Sequence, residues 1–319
     1  MTDQDRALMK RLTIVLAALF VFVFAWSRLQ LLYGEKFFEV TASGKAQWIW
    51  MQHRLADGNP VAFYATHDFD LPPQRNFTHL KVLGDPEYTL YFNGVEVGGR
   101  RVGEESTLDV YDVSALARDK ANRIVIAARS PNGVGGLIAS IDLAPDFLNH
   151  VFTNGDWHIV TQWHPDILTR DTAPFFRPML LGRPPARRWN YLTRQPANVF
   201  APPAGVMQAR ETFSFRTAMP QIEVVDGVAV AGTKPIDATA YDFGVGARGR
   251  LRLTLPKPST QPLVVNVRFH TERNDLFAIE GEVEPFVFAA GETTVTDEQQ
   301  RIFRYVEIYG SAARAEVLQ

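Results

Sequence analysis

Tyr88-Thr89-Leu90-Tyr91-Phe92-Asn93-Gly94-Val95-Glu96-Val97 decides how this chain is read. Apolar Leu90, Phe92, Val95 and Val97 flank an Asn-Gly pair. Asn-Gly favours the two positive backbone angles of a type I′ turn, whose twist matches that of two paired strands. The stretch therefore predicts a β-hairpin. Outward from it the same signal repeats. Trp48-Ile49-Trp50 and Ala62 to Phe69 come before it; Leu108 to Leu116, Arg123 to Arg129 and Gly135 to Leu143 come after. Short β-branched or aromatic runs at steady spacing, broken by turn residues, indicate an antiparallel sandwich.

The 319 residues are enough for two domains of ordinary size. With 46% hydrophobic and 21% charged residues the composition is that of a globular protein. A formal net charge of -2 supplies no field to recruit nucleic acid. The absence of cysteine excludes a disulfide framework and thiolate metal sites.

The N-terminus departs from this pattern. Leu12 to Trp26 reads LTIVLAALFVFVFAW, with Thr13 its one polar residue. Alone it is roughly 22 Å of helix; carried on to Tyr33 it is about 33 Å, enough for a bilayer core. Arg28 can snorkel, with Trp26 and Tyr33 near the interface. Arg6, Lys10 and Arg11 precede the run, which favours a cytoplasmic N-terminus and an extracytoplasmic remainder, as in a bacterial inner membrane facing the periplasm. Two other readings compete. Ala25-Trp26-Ser27 resembles a signal-peptide cleavage site, and an apolar run can also be a buried helix, though this one has no polar face.

The second half of the chain carries two further strand motifs. One is Tyr241-Asp242-Phe243-Gly244 followed by Gly249 and Leu251; the other is Ile302-Phe303-Arg304-Tyr305-Val306-Glu307-Ile308-Tyr309-Gly310. Together with Trp48 or Trp50, Asn93-Gly94, Tyr111-Asp112-Val113-Ser114 with Leu116, and Asn122 to Val125, in that order, they resemble the non-catalytic, galactose-binding-like β-sandwiches of bacterial α-L-rhamnosidases and related glycoside hydrolases. The resemblance covers roughly Ala46 to Gly310. Val245 stands where that family usually has Gln. The family's acidic catalytic residues lie in an (α/α)-barrel that would follow the second sandwich. No counterpart of that barrel is seen here, so no catalytic residue is carried over.

The expected fold is all-β: two antiparallel jelly-roll-type sandwiches behind one N-terminal transmembrane helix. The expected division is a cytoplasmic tail at 1–11, an anchor at 12–33, a first sandwich at 46–145, an irregular Pro- and Trp-rich crossover at 146–205 and a second sandwich at 206–319.

Side-chain chemistry narrows less. Glycoside hydrolysis needs two carboxyl groups about 5–9.5 Å apart, and the sequence singles out no such pair. Asp109 and Asp112 should point to opposite faces of a strand; Glu280, Glu282 and Glu284 should share a solvated edge. His158 and His164, with Asp156 and Asp166, match no zinc spacing. Asp242-Phe243-Gly244 lacks every companion of the kinase motif. No catalytic residue, metal ligand or cofactor is implied. Sugars are held by aromatic faces and planar polar groups. Trp163, Trp189, Arg187, Arg188 and Asp166 are the candidates for that role, while Trp48, Trp50 and Trp157 read as core. Three functional expectations follow. The first is a membrane-anchored, non-catalytic carbohydrate-binding or complex-assembly protein, with glycan or envelope proteins as partners and a place in envelope polysaccharide handling. The second is a glycosidase with unidentified acids. The third is a purely protein-binding subunit.

Overall fold

The computed structural model describes residues 3–52, 58–102, 107–172, 174–197, 205–225, 228–272 and 282–319, with the backbone alone at 3–8, 30–40, 219–225 and 228–233. Glu280 and residues 198–204, the end of the expected crossover, lie outside the described residues.

One helix, α1 (Asp3–Val40), opens the chain. Its Met9–Leu29 segment is long and apolar enough to cross a membrane, and none of it is buried by the rest of the protein. The exposed rings of Phe20, Phe22 and Trp26 rule out a buried core helix. The helix runs on past residue 33, the expected end of the anchor, and ends in a turn at 41–45, from which Ala46 enters the first sandwich.

Twelve strands build that sandwich: β1 (Trp48–Trp50), β2 (Val61–Phe69), β3 (His79–Asp85), β4 (Glu87–Phe92), β5 (Val95–Arg101), β6 (Thr107–Asp112), β7 (Asn122–Ser130), β8 (Gly136–Asp142), β9 (Val151–Phe152), β10 (His158–Val160), β11 (Met179–Gly182) and β12 (Thr193–Arg194). One sheet has the order β11-β1-β8-β3-β6-β12, with β9 beside β8; the other is β10-β2-β7-β4-β5. The crossover thus contributes strands to both sheets. Asn93 and Gly94 take φ values of 49° and 86°, the two positive angles of a type I′ turn between β4 and β5. The Asn93 side chain ties the turn inward, donating to the Leu116 carbonyl (2.8 Å) and accepting from the Arg123 amide (2.8 Å). The hairpin and its sequence companions at 116–123 are therefore one construction.

Ile49, Trp50, Phe63, Leu80, Phe92, Ile126, Leu137 and Trp157 fill the core between the sheets. Trp48 is buried elsewhere, against Trp189 on the outer face of the first sheet. Trp48 and Trp50 therefore bury on different sides, against the shared face that alternation predicts; at this point β11 carries an extra residue, Leu181, opposite the Trp48–Ile49 step.

The second sandwich comprises β13 (Val206–Gln208), β14 (Glu211–Val225), β15 (Val228–Thr254), β16 (Leu263–His270), β17 (Glu284–Phe288), β18 (Thr294–Thr296), β19 (Arg301–Tyr309) and β20 (Arg314–Leu318). Its strands run β13-β20-β15-β19-β16-β17, with β14 and β18 also on β15. β15 can serve so many neighbours because it bends: the β15–β19 register shifts between Asp242 and Ala247. At that bend the Asp242 carboxylate accepts from the Gly244 amide (2.7 Å) and pairs with Arg304 (3.1 Å). The two sequence motifs of this half are thus adjacent strands locked by one ion pair. Val245, at the bend, is 85% exposed.

Candidate functional site

The site grows from strands that have no solvent face. β2 sends Phe63 and Ala65 into the first core; its other face carries Ala62 and Tyr64, which pack on Val287 and Ala289 of the second sandwich. Gln162 forms a parallel bridge with Ala290, and the Trp163 amide donates to the Ala290 carbonyl (2.8 Å). Around this apolar patch, polar contacts join the two sandwiches. Arg129 reaches Glu292 (2.7 Å), Thr89 donates to Glu298 (2.7 Å), Arg101 bonds Glu284 (2.8 Å) and Arg250 faces Glu96 (3.6 Å).

Between these contacts the sandwiches leave a cleft of about 600 Å³, within the usual ~300–1,000 Å³ of small-ligand sites. Thr89, Tyr91, Glu96 and Arg129 line it from the first sandwich, Trp163 from the crossover, and Arg250, Arg252, Glu292, Thr293, Thr294 and Glu298 from the second. The Arg129 guanidinium is buried; it donates to Glu292 and to the Thr89 hydroxyl (3.2 Å), while its Nε has no partner among the described residues. Thr89 passes the contact on to Glu298. Burial, with Glu96 and Glu87 nearby, pushes the Glu298 carboxyl from 4.5 up to about 8. Glu298 lies so close to the backbone of β5 that a Cβ on Gly99 would stand 2.5 Å from its Cδ. Behind Arg252, Glu316 is held below the usual carboxylate range by Gln208 and Arg252. Ring faces, fixed carboxylates and guanidinium forks in one concavity form a surface suited to a polyhydroxylated ligand.

The structure divides the residues singled out from sequence. Trp163 lines the cleft, its ring 5.1 Å from Tyr64. Asp166 is not among the lining residues; it sits on a 3-10 turn (Pro165–Leu168) and pairs with Arg170. Trp189 is 8% exposed, stacked on Trp48 at 4.2 Å, and its Nε1 donates to Asp85 (2.8 Å). Arg188 pairs with the same Asp85, and Arg187 is exposed beside it. His158 bonds Asp171 (2.8 Å), and His164 accepts from the Asp166 amide (3.2 Å). Glu284 departs from the solvated edge expected of it. It is held between Arg101 and Arg301, because that strand edge faces the other sandwich. The sequence marks no cleft residue other than Trp163, but the unbroken apolar run Ile124 to Ala128 carries one signal: β7 is buried at every position, and a strand buried on both faces must meet a second layer.

No protein-family model and no curated protein matches the sequence. Solved structures do. The α-L-rhamnosidase of Aspergillus terreus aligns over 88% of this chain and 37% of its own, with 14% identity and a TM-score of 0.53. That of Dictyoglumus thermophilum aligns over 86% and 35%, with 16% identity and a TM-score of 0.47. The Pleurotus ostreatus lectin, solved with GalNAc, aligns over 85% and 76%, with 14% identity and a TM-score of 0.38. The chain spans about a third of the length of the rhamnosidases it matches. At such identities the likeness to the Aspergillus terreus enzyme is one of fold: this chain is similar to a part of an α-L-rhamnosidase.

Proposed function

We propose that this chain is a membrane-tethered carbohydrate-binding protein that takes a saccharide in the cleft between its two sandwiches. The observation that carries this reading is the cleft itself, where Trp163 and Tyr91 stand among fixed carboxylates and guanidinium groups contributed by both sandwiches. The fold shared with part of a sugar-processing enzyme supports it by analogy. Helix α1 supplies the tether through Met9–Leu29. The preceding Arg6, Lys10 and Arg11 favour a cytoplasmic N-terminus, with the sandwiches on the outer side, placed to meet envelope polysaccharide.

The test is a glycan array probed with the full-length protein in detergent. The reading expects discrete saccharide hits that are lost in Trp163→Ala. An array without hits, beside a stable co-purifying membrane protein, would instead assign the sandwiches to protein assembly. Hydrolysis of a bound oligosaccharide, abolished by Glu96→Gln, would replace binding by catalysis.

A further inference from the structure

We propose that the cleft selects an uncharged saccharide and discriminates against uronic acids and free amino sugars. This rests on the reading of the cleft as a saccharide site. Its physical basis is charge balance. Each guanidinium lining the cleft has a carboxylate of the protein within reach: Arg129 has Glu292 at 2.7 Å, Arg250 has Glu96 at 3.6 Å, and the Arg252 Nε has Glu316 at 2.9 Å. The fourth carboxyl, Glu298, is driven towards its neutral form by burial. The set therefore carries no surplus charge near neutral pH.

A ligand carboxylate entering this cleft would lose its hydration. It would gain a counter-charge only by displacing Glu292, Glu96 or Glu316 from its arginine, leaving that group unpaired. A ligand ammonium would have to draw one of these carboxylates from its arginine, or ionise the buried Glu298 against the desolvation that keeps it neutral. The Arg129–Glu292 pair is buried, and breaking it costs more than a new exposed pair returns; the partly exposed pairs at Arg250 and Arg252 oppose the exchange less steeply. Hydroxyl groups meet no such barrier, since each both donates and accepts. Thr293 and Thr294 are exposed, and the Glu96 side chain is 35% exposed, so hydroxyl donors and a carboxylate acceptor are reachable from solvent. Val95, Val295 and the Trp163 ring cover the C–H faces of an uncharged ring. Specificity here comes from the penalty on the wrong ligand as well as from contacts to the right one.

The experiment titrates the full-length protein in detergent with three probe sets: neutral gluco-, galacto- and rhamno-oligosaccharides, oligogalacturonates, and chitosan oligomers. At least one neutral probe should bind more tightly than either charged set by about tenfold, the factor that ~1.4 kcal/mol represents, with little response to added salt. The double variant E96Q/E298Q neutralises the two cleft carboxyls beside Arg250, Glu298 at 3.3 Å and Glu96 at 3.6 Å, without altering shape; it should gain oligogalacturonate binding by about tenfold on the same scale. Glu298 is included because it would otherwise ionise in place of Glu96. Tighter binding of uronate or amine probes by the unmodified protein, or an unchanged uronate affinity in the folded double variant, overturns the inference and leaves the saccharide reading intact. Failure of all three sets to bind the folded protein overturns both.

Discussion

Glu298 is the side chain where the two sandwiches and the cleft meet. Burial raises its carboxyl from 4.5 to about 8, so the folded state holds this proton where the unfolded chain has released it. The stability this contributes is complete below the unfolded value and is lost as pH rises through the folded one. Asp242 and Glu316, held low by Arg304 and by Gln208 and Arg252, act at the acid end and with the opposite sign. Thermal melts are therefore expected to fall between pH about 4.5 and about 8 in the native protein, and to fall less in Glu298→Gln. A slope unchanged by that substitution would assign the titration elsewhere. Trp189 gives the complementary case. Stacked on Trp48 and bonded to Asp85, it belongs to the packing, and Trp189→Ala should cost about 3–5 kcal/mol in denaturant melts while leaving glycan affinity unchanged. The sequence did not separate Trp163 from Trp189 because both sit in the same proline-rich crossover. What covers Trp189 is local in space only, Asp85 being 104 residues away along the chain.

Among the elements, the β4–β5 hairpin was the most legible. Its turn depends on two adjacent residues, and the interactions that specify a type I′ turn are local. Its anchoring was less so, since Asn93 bonds Leu116 and Asn122 across 23 and 29 residues. Asn93→Ala removes those bonds and leaves the Leu116 carbonyl without its donor. A loss of about 1–3 kcal/mol is expected by chemical denaturation; a loss within error would mean that the turn is held by its backbone alone. The bend of β15 was legible as a motif and illegible as a shape. Asp242 and Arg304 lie 62 residues apart, and nothing in either stretch states that one strand will serve several neighbours. The register shift at Trp48 shows the same limit. Alternation predicts a shared face for Trp48 and Trp50, and the irregular β1–β11 ladder, with Leu181 inserted on β11, is set by residues about 130 positions away.

At the scale of the molecule, the all-β class and the apolar N-terminal helix follow from composition and periodicity, which every segment reports independently. The way the sandwiches face each other does not. Arg101, Arg129, Glu284 and Glu298 are charged, and a charged residue in a strand ordinarily reads as solvent-facing. Each becomes an interface residue only because its partner arrives from the other sandwich. The cleft is a property of that meeting and belongs to neither half alone. Its role is tested most directly by hydrogen–deuterium exchange on the full-length protein, with and without the tightest saccharide from the array. Binding in the cleft should slow exchange in residues 89–96 of the first sandwich and residues 289–298 of the second together, and Trp163→Ala should abolish both effects. Protection confined to one sandwich, or centred on residues 187–189, would contradict it.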